Sequence, residues 1–390
     1  MKKRFISIIL ALVFTLSATA CVKSPDSGGA NDSDTTSENA TDNGNSETDG
    51  ESDSGEKSLS AVLVVTGQLG DKSFNDSAAR GIEGLKELGW NTKVVEIGRD
   101  TTKWEPTFQE LAESGEYDLI MTNGSNASEI FLTVSEEFPE QNFLMYDSEL
   151  EEDKYPNVYS ISYKQNEGSY LVGVLAALTT VSDMEGVNPE PKIGFIGGQE
   201  HPVITDFLIG YIEGAKSVLP EVKVYVSYIG SWDDTARGKE VAMAQFNQGV
   251  DIIFPAAEQA GLGCVEAAKE LGTYIIGVDS DQSMLFKGTD EDAANTILTS
   301  MLKNVDKSII RAGELYSEDK LPMGTFESLG IEEDGVGIAY NEYYETNVPE
   351  DIRNKVEQSR EEVVAGGVTI TSALNEEPET VQEIIDSVAP

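Results

Sequence analysis

The fold is decided near residue 60, where AVLVV at residues 61–65 is followed by TGQLGDKSFN at 66–75 and an amphipathic segment at 77–88. The first segment is a continuous apolar run, typical of a strand buried on both faces of a parallel sheet. The second carries turn residues, and the third has helical spacing. Strand, glycine-containing turn and helix together form the repeating unit of an open α/β sheet.

The same alternation continues along the chain and predicts the α/β fold class. Strands are predicted at 61–65, 93–97, 119–122, 143–146, 158–163, 193–196, 222–228, 252–254 and 274–278, and helices at 77–88, 166–178, 205–218, 234–247, 261–271 and 295–315. This number of strands exceeds one small doubly wound sheet. A polar stretch at 182–191 precedes a new strand-Gly-Gly-helix unit, which indicates a second, similar lobe.

The N-terminal segment, 1–20, is predicted to be a secretory signal, because a basic start precedes an apolar run at 5–16 that is too short to span a bilayer. Small residues then precede Cys21, a pattern typical of a bacterial lipobox in which that cysteine is lipidated. Ordinary cleavage after Ala20 is the alternative. It would leave Cys21 as a free thiol with Cys264 as its only possible partner.

Residues 21–58 are predicted to be a lipidated cysteine followed by a disordered acidic linker. Their Ser, Asp, Gly, Asn, Thr and Glu residues offer too little apolar surface to fold. The folded part of the chain is therefore expected to begin at residue 59.

Composition excludes several classes of function. The chain has 27 Lys and Arg against 70 Asp and Glu, a formal net charge of −43, which disfavours nucleic acid as a partner. A single histidine and two cysteines leave no histidine-rich or cysteine-rich metal site, and we predict no metal and no cofactor. The histidine, His201, is expected to be exposed rather than catalytic. The nucleotide-binding glycine motifs and the Gly-x-Ser-x-Gly elbow are absent from the sequence.

The segments after the strands are where ligands of open α/β sheets bind. They carry aromatic rings, an amide and carboxylates, namely Phe74, Asn75, Asp147, Phe207 and Asp279. A ring offers a stacking face, and a carboxylate accepts hydrogen bonds from ligand donors. This set can hold a neutral polar molecule without transforming it.

Each of these residues also has an ordinary structural interpretation. The two phenylalanines fit a hydrophobic core, Asn75 fits a helix cap, and the aspartates fit caps or turns. Lys303, within the helix predicted at 295–315, fits a solvated position. The residues alone therefore do not name the ligand.

Four motifs in register resemble the basic membrane protein family of ABC-transporter substrate-binding lipoproteins. They are GDKSFN at 70–75, NEGSYLVG at 166–173, GFIGG at 194–198 and GVDSDQS at 277–283. The resemblance implies a type I periplasmic-binding-protein-like fold, with two Rossmann-like lobes, a hinge of three crossovers and an interlobe ligand cleft. We expect lobe 1 to comprise 59–162 and 281–320, and lobe 2 to comprise 163–280 and 321–390.

The resemblance also implies a function, the capture of a nucleoside, typically a purine nucleoside, for an ABC permease and its ATPase. By this resemblance, Phe74 and Phe207 sandwich the base, and Asn75 and Asp147 bond its edge. Asp279 takes the ribose hydroxyls, and Lys303, in TSMLKNV at 299–305, lies near the sugar. We expect a monomer that is tethered to the cell membrane only by its lipid.

One loop departs from the family pattern. The family usually has a Gly-Gly-Thr-Gly type loop where this chain reads AEQAG at 257–261, so Glu258 and Gln259 are predicted to add contacts or to shrink the sugar pocket. The alternative function is a ligand-sensing receptor of the same fold that signals to a membrane regulator. An enzyme cleaving the glycosidic bond with Asp147, Glu258 and Asp279 is a further alternative, but we expect binding without catalysis.

Overall fold

A computed structural model describes residues 58–390. The predicted signal at 1–20, Cys21 and the linker up to residue 57 lie outside the described residues. The described part contains two six-stranded sheets flanked by helices, which confirms the α/β class and the two-lobe organisation.

The first sheet is entirely parallel and has the strand order β11-β5-β4-β3-β1-β2. Its strands are β1 Ser60–Val65, β2 Asn91–Glu96, β3 Leu119–Asn123, β4 Asn142–Tyr146, β5 Val158–Tyr163 and β11 Phe326–Leu329. Its helices are α1 Phe74–Glu87, α2 Trp104–Ser114, α3 Gly124–Glu137 and α10 Val305–Ser317. Strand β1 is buried along its whole length, as its continuous apolar sequence predicts.

The second sheet has the order β12-β10-β9-β8-β6-β7, and only β12 runs antiparallel to its neighbour. Its strands are β6 Lys192–Gly197, β7 Lys223–Tyr228, β8 Ile252–Ala256, β9 Tyr274–Asp279, β10 Ile297–Lys303 and β12 Val336–Ile338. The helices of this lobe are α4 Gln165–Thr180, α5 Pro202–Val218, α6 Thr235–Phe246, α7 Gly261–Leu271, α8 Gln282–Phe286, α9 Glu291–Thr296, α11 Glu342–Asn347, α12 Glu350–Val364 and α13 Pro378–Asp386.

The prediction of a helix at 295–315 is wrong for the first half of that range. Residues 297–303 form β10, which lies between β9 and the edge strand β12 of the second sheet, and the helix begins only at Val305. The strand is buried at nearly every position, so its apolar residues do not mark a single face. An apolar run of this length fits a buried strand and a buried helix equally well.

The predicted lobe boundaries are corrected by the same pairing. Residues 281–303 belong to the second lobe, not to lobe 1, because they lead into β10. Residues 326–329 belong to the first lobe, not to lobe 2, because they form β11 beside β5. The chain crosses between the lobes three times, from β5 to α4, from β10 to α10 and from β11 to β12.

Helices α4 and α5 pack backbone against backbone beneath the second sheet. A Cβ atom added at Gly214 would lie 2.0 Å from the Tyr170 carbonyl oxygen, and one at Gly210 would lie 2.1 Å from that of Asn166. On α4, a Cβ atom at Gly173 would lie 2.2 Å from the carbonyl oxygen of Tyr211. Glycine is required here by close approach, since no side chain fits between the helices.

Candidate functional site

A cavity of about 440 Å³ lies between the lobes, where the carboxyl ends of strands from both sheets face each other. Six of the eight residues predicted to contact ligand line it, namely Phe74, Asp147, Phe207, Glu258, Asp279 and Lys303.

The two predicted stacking rings come from opposite lobes. Phe74 is the first residue of α1 and lies 5.6 Å from the Tyr146 ring, while Phe207 lies on α5, 6.1 Å from Phe254. Lys303 Nζ is 5.6 Å from the centroid of Phe74 and 4.8 Å from that of Phe207. Both rings therefore flank the same ammonium group, within cation–π range.

Lys303 is the last residue of β10, and it is 1 % exposed. Its Nζ lies 2.6 Å from Asp147 Oδ1. The interpretation of this lysine as a solvated helix residue is therefore wrong, because strand geometry directs its side chain into the cleft. The carboxylate and the surrounding rings compensate the buried charge.

Three carboxylate residues at strand ends share an uncommon backbone conformation. Asp147 follows β4 with φ 61°, Asp279 ends β9 with φ 62°, and Glu258 lies two residues beyond β8 with φ 47°. The left-handed region costs an L-residue on the order of 1 kcal/mol or more, and such strain concentrates at functional sites. The Asp279 carboxylate accepts a hydrogen bond of 2.5 Å from Ser73 Oγ, across the cleft.

Burial controls the protonation of two of these groups. Desolvation raises the pKa of Asp279 to about 6, against the lowering effect of the Lys303 charge. Desolvation also raises the pKa of Glu258 to about 7, against the lowering effect of Arg99. Both side chains therefore exchange protons near neutral pH, well above their ordinary range.

Asn75 and Gln259 do not line the cavity, so their predicted direct roles are not supported by the geometry. Asn75 Nδ2 donates to Asp71 Oδ2 and to Glu258 Oε2, each at 2.9 Å. The buried Asp71 carboxylate also accepts from the backbone N–H of Asn75, and it thereby holds the start of α1. Gln259 follows Glu258 in a 3₁₀ turn, where consecutive side chains diverge by about 120°. Only Glu258 of that pair lines the cavity.

Sequence reasoning missed Arg99 and Trp232. Trp232 lines the cavity from the second lobe, and the guanidinium carbon of Arg99 lies 5.8 Å from its ring centroid. Arg99 Nη2 donates to Glu258 Oε2 at 2.5 Å, and Arg99 Nε is 3.9 Å from Asp233. No local motif marks these residues, since they meet only when the two lobes come together.

His201 was expected to be exposed, but it is half-buried and lines the cavity. It caps α5, with Nδ1 accepting from the Val203 backbone N–H. Its Nε2 lies 3.2 Å from the Ser125 carbonyl oxygen in the opposite lobe. Since a carbonyl can only accept, this contact places the ring proton on Nε2.

The described residues, 58–390, contain no group of three or more His, Cys, Asp or Glu side chains arranged to hold a metal ion. Within the same range, every helix is too short or too polar to cross a membrane.

Two α/β lobes whose strand ends line one shared cleft with aromatic, amide and carboxylate side chains define a bilobal solute-binding protein. The sequence is specific enough to assign the family. The chain belongs to the Bmp family, the PnrA-like ABC transporter substrate-binding proteins, whose family model matches residues 58–371.

Known relatives agree with this assignment. The ABC transporter nucleoside-binding protein BmpA of Lactococcus lactis is 30 % identical over 325 residues, covering 80 % of this chain and 88 % of the relative. Basic membrane protein A2 of Borrelia garinii is 34 % identical over 287 residues, covering 72 % and 79 %. The solute-binding protein of an ABC transporter system from Aeropyrum pernix superposes with a TM-score of 0.75 at 25 % identity, covering 85 % of this chain and 97 % of that one.

Membership of this family confirms the predicted class of protein. The chain is an extracytoplasmic substrate-binding component of an ABC transporter, and a transporter of this kind supplies a permease and an ATPase as its partners. The family consists of substrate-binding proteins rather than enzymes.

Proposed function

We propose that this protein binds a nucleoside, preferably a purine nucleoside, between its lobes and delivers it to an ABC permease. The observation that carries the proposal is the pair of rings, Phe74 and Phe207, which enter one cavity from opposite lobes. Aromatic stacking on a base contributes about 1–3 kcal/mol and tolerates different bases. The nucleoside-binding relative from Lactococcus supports the same ligand class.

The polar groups of the cavity suit an uncharged ligand with several donors. Asp147 is proposed to accept from the edge of the base, and Asp279 is proposed to accept from the sugar hydroxyls, with Lys303 close to both rings. Lys303, the one lysine or arginine among the described residues that line the cavity, is already paired with Asp147 and so is not free to bind a phosphate. A nucleoside fits this charge pattern better than a nucleotide does.

Hinge closure is proposed as the binding mechanism, because the chain crosses between the lobes at three points and the cavity walls belong to both. Closing brings the rings onto the base and excludes water from the carboxylates. We propose a monomer, since one chain supplies both halves of the cleft.

Calorimetry on the purified full-length protein tests the ligand assignment. Guanosine, inosine and adenosine are expected to bind with micromolar or tighter affinity, and mass spectrometry is expected to find a nucleoside retained from the expression host. Guanosine 5′-monophosphate is the matched control and should bind much more weakly. Absence of heat with every nucleoside would overturn the proposal.

We propose separately that Cys21 carries a lipid that tethers the receptor to the membrane. The other cysteine, Cys264, is fully buried in α7, with Sγ 3.5 Å from the Gly238 carbonyl oxygen. It is therefore not available to pair with Cys21. Cys21→Ser should move the protein from the membrane to the soluble fraction and abolish labelling by a fatty acid, whereas Cys264→Ser should do neither. Membrane retention of Cys21→Ser would contradict the anchor.

A further inference from the structure

The three carboxylates of the cavity share an unusual hydrogen-bonding arrangement. One oxygen of each is held by a protein donor: Asp147 Oδ1 by Lys303, Asp279 Oδ2 by Ser73, and Glu258 Oε2 by both Asn75 and Arg99. The second oxygen of each accepts no hydrogen bond from residues 58–390. Three carboxylates, each with one oxygen held and the other free to accept from a ligand, therefore line one cavity.

Glu258 differs from the other two carboxylates in how it is held. It is 9 % exposed and belongs to the second lobe, but both of its donors, Asn75 and Arg99, belong to the first. Its carboxylate orientation therefore depends on the lobes being together. The left-handed backbone at Glu258, φ 47°, further restricts where the side chain can point.

Arg99 is itself held by the second lobe at more than one point. Besides Glu258, its guanidinium contacts the ring of Trp232 and lies 3.9 Å from Asp233. Trp232 and Glu258 both line the cavity, so Arg99 packs behind the part of the cavity wall that these two residues form. An arginine that spans a cleft in this way fixes the acceptor beneath it.

A carboxylate oxygen that loses its water when a ligand fills the cleft is unfavourable unless a ligand donor replaces that water. A ligand lacking the donor leaves the oxygen unsatisfied, which is how a polar site rejects a close analogue. Glu258 Oε1 is therefore expected to favour ligands with a donor that reaches it, as the free oxygens of Asp147 and Asp279 are.

We propose that Glu258 is a specificity-determining residue that accepts, through Oε1, a hydrogen bond from an N–H or O–H group of the ligand. Arg99 is the positioning residue that makes this acceptor available only when the cleft is closed. The inference rests on the proposed nucleoside function and narrows it to nucleosides with one donor beyond those taken by Asp147 and Asp279.

Calorimetry with guanosine and analogues that each lack one donor tests this. Inosine lacks the amino group of the base, and 2′-, 3′- and 5′-deoxyguanosine each lack one hydroxyl, so the base and the sugar are distinguished as sources of the donor. Wild-type protein should bind one of these analogues at least tenfold more weakly than guanosine. Glu258→Ala should bind that analogue and guanosine with affinities that differ by no more than about twofold. Its affinity ratios between guanosine and the other analogues should match those of the wild type.

Two further variants separate recognition from folding. Glu258→Gln keeps the side-chain shape but weakens the acceptor, so it should reduce the same affinity ratio. This variant tests the proposal even if Glu258→Ala folds poorly. Gln259→Ala is the matched control, since its side chain does not line the cavity, and it should leave every ratio unchanged. Arg99→Ala should reduce the ratio for the same analogue as Glu258→Ala, with partial recovery in Arg99→Lys.

The outcomes are distinguishable from failure of the proposed function. If nucleosides bind but every affinity ratio is the same in wild type and Glu258→Ala, the inference is overturned and nucleoside binding stands. If wild-type protein binds no nucleoside, the proposed function fails and this inference fails with it.

Discussion

Lys303 Nζ and Asp147 Oδ1, 2.6 Å apart and almost fully buried, join the end of a strand in the second lobe to the end of a strand in the first. Lys303→Met should leave the Asp147 charge buried without a partner. Loss of one member of a buried ion pair costs about 3–5 kcal/mol. We expect a decrease of that size in the free energy of unfolding, measured with urea.

Lys307 supplies the control for this prediction. It pairs with Asp334, but both side chains are more than half exposed. Lys307→Met should change stability by about 0–1 kcal/mol. The double variant Lys303→Met with Asp147→Asn should recover most of the loss, because the uncompensated charge is gone. Similar losses for Lys303→Met and Lys307→Met would contradict the importance of the buried pair.

Phe207→Leu tests the stacking role of the rings. The variant keeps an apolar side chain of similar length but removes the flat face, so nucleoside affinity should fall by about 5- to 150-fold, the equivalent of about 1–3 kcal/mol. Calorimetry measures the change. Phe131→Leu, in the core of the first lobe away from the cavity, is the control and should leave affinity unchanged. Equal affinity in Phe207→Leu and wild type would remove this ring from the proposed site.

The strand ends were predictable from sequence because buried parallel strands have a strong apolar pattern, and ligands bind at their carboxyl ends. That reasoning found Asp147 and Asp279. It did not find β10, whose apolar residues run on into the amphipathic pattern of α10, and so it placed Lys303 on a helix. Arg99 gave no signal at all, because its partner Glu258 is 159 residues away along the chain and in the other lobe.

The pH dependence of stability follows from the two raised carboxyl pKa values. Burial raises the pKa of Asp279 to about 6 and that of Glu258 to about 7. The unfolded chain loses these protons near pH 4, so between about pH 4 and 7 the folded protein binds more protons than the unfolded one. Their stabilising contribution is therefore complete below pH 4 and is lost as pH rises to about 7, by on the order of 2–3 kcal/mol per group.

Urea unfolding at intervals from pH 5 to 8 measures this slope. Asp279→Asn together with Glu258→Gln should give a shallower fall than wild type across that range. Asp251, also raised to a pKa of about 6 by burial, lies outside the cavity and remains in both proteins, so the difference between the slopes isolates the cleft. Identical slopes in the two proteins would show that the cleft carboxyls do not titrate in this range.

His201 has two separable structural roles, as the cap of α5 and as a contact to the opposite lobe through the Ser125 carbonyl. His201→Ser should preserve the cap, because serine is a strong N-cap residue, whereas His201→Ala should lose about 0.5–2 kcal/mol of unfolding free energy. Neither variant can bridge to Ser125. Nucleoside affinity should therefore fall to a similar extent in both, while urea unfolding separates them, and equal stability of the two would contradict the capping role.

Gly214→Ala tests the close packing of α4 and α5, which supports the second lobe beneath Phe207. The added Cβ would lie 2.0 Å from the Tyr170 carbonyl oxygen, so the two helix backbones must separate. Overpacking of this kind costs about 1–3 kcal/mol, and here backbone atoms rather than adjustable side chains oppose it. Gly337→Ala is the matched control, since its Cβ meets no atom within 4 Å, and it should leave the free energy of unfolding nearly unchanged.

Because α5 also carries Phe207, Gly214→Ala should weaken nucleoside binding as well as lower the free energy of unfolding. An unchanged midpoint of urea unfolding in Gly214→Ala would show that the helices are not in the close contact described.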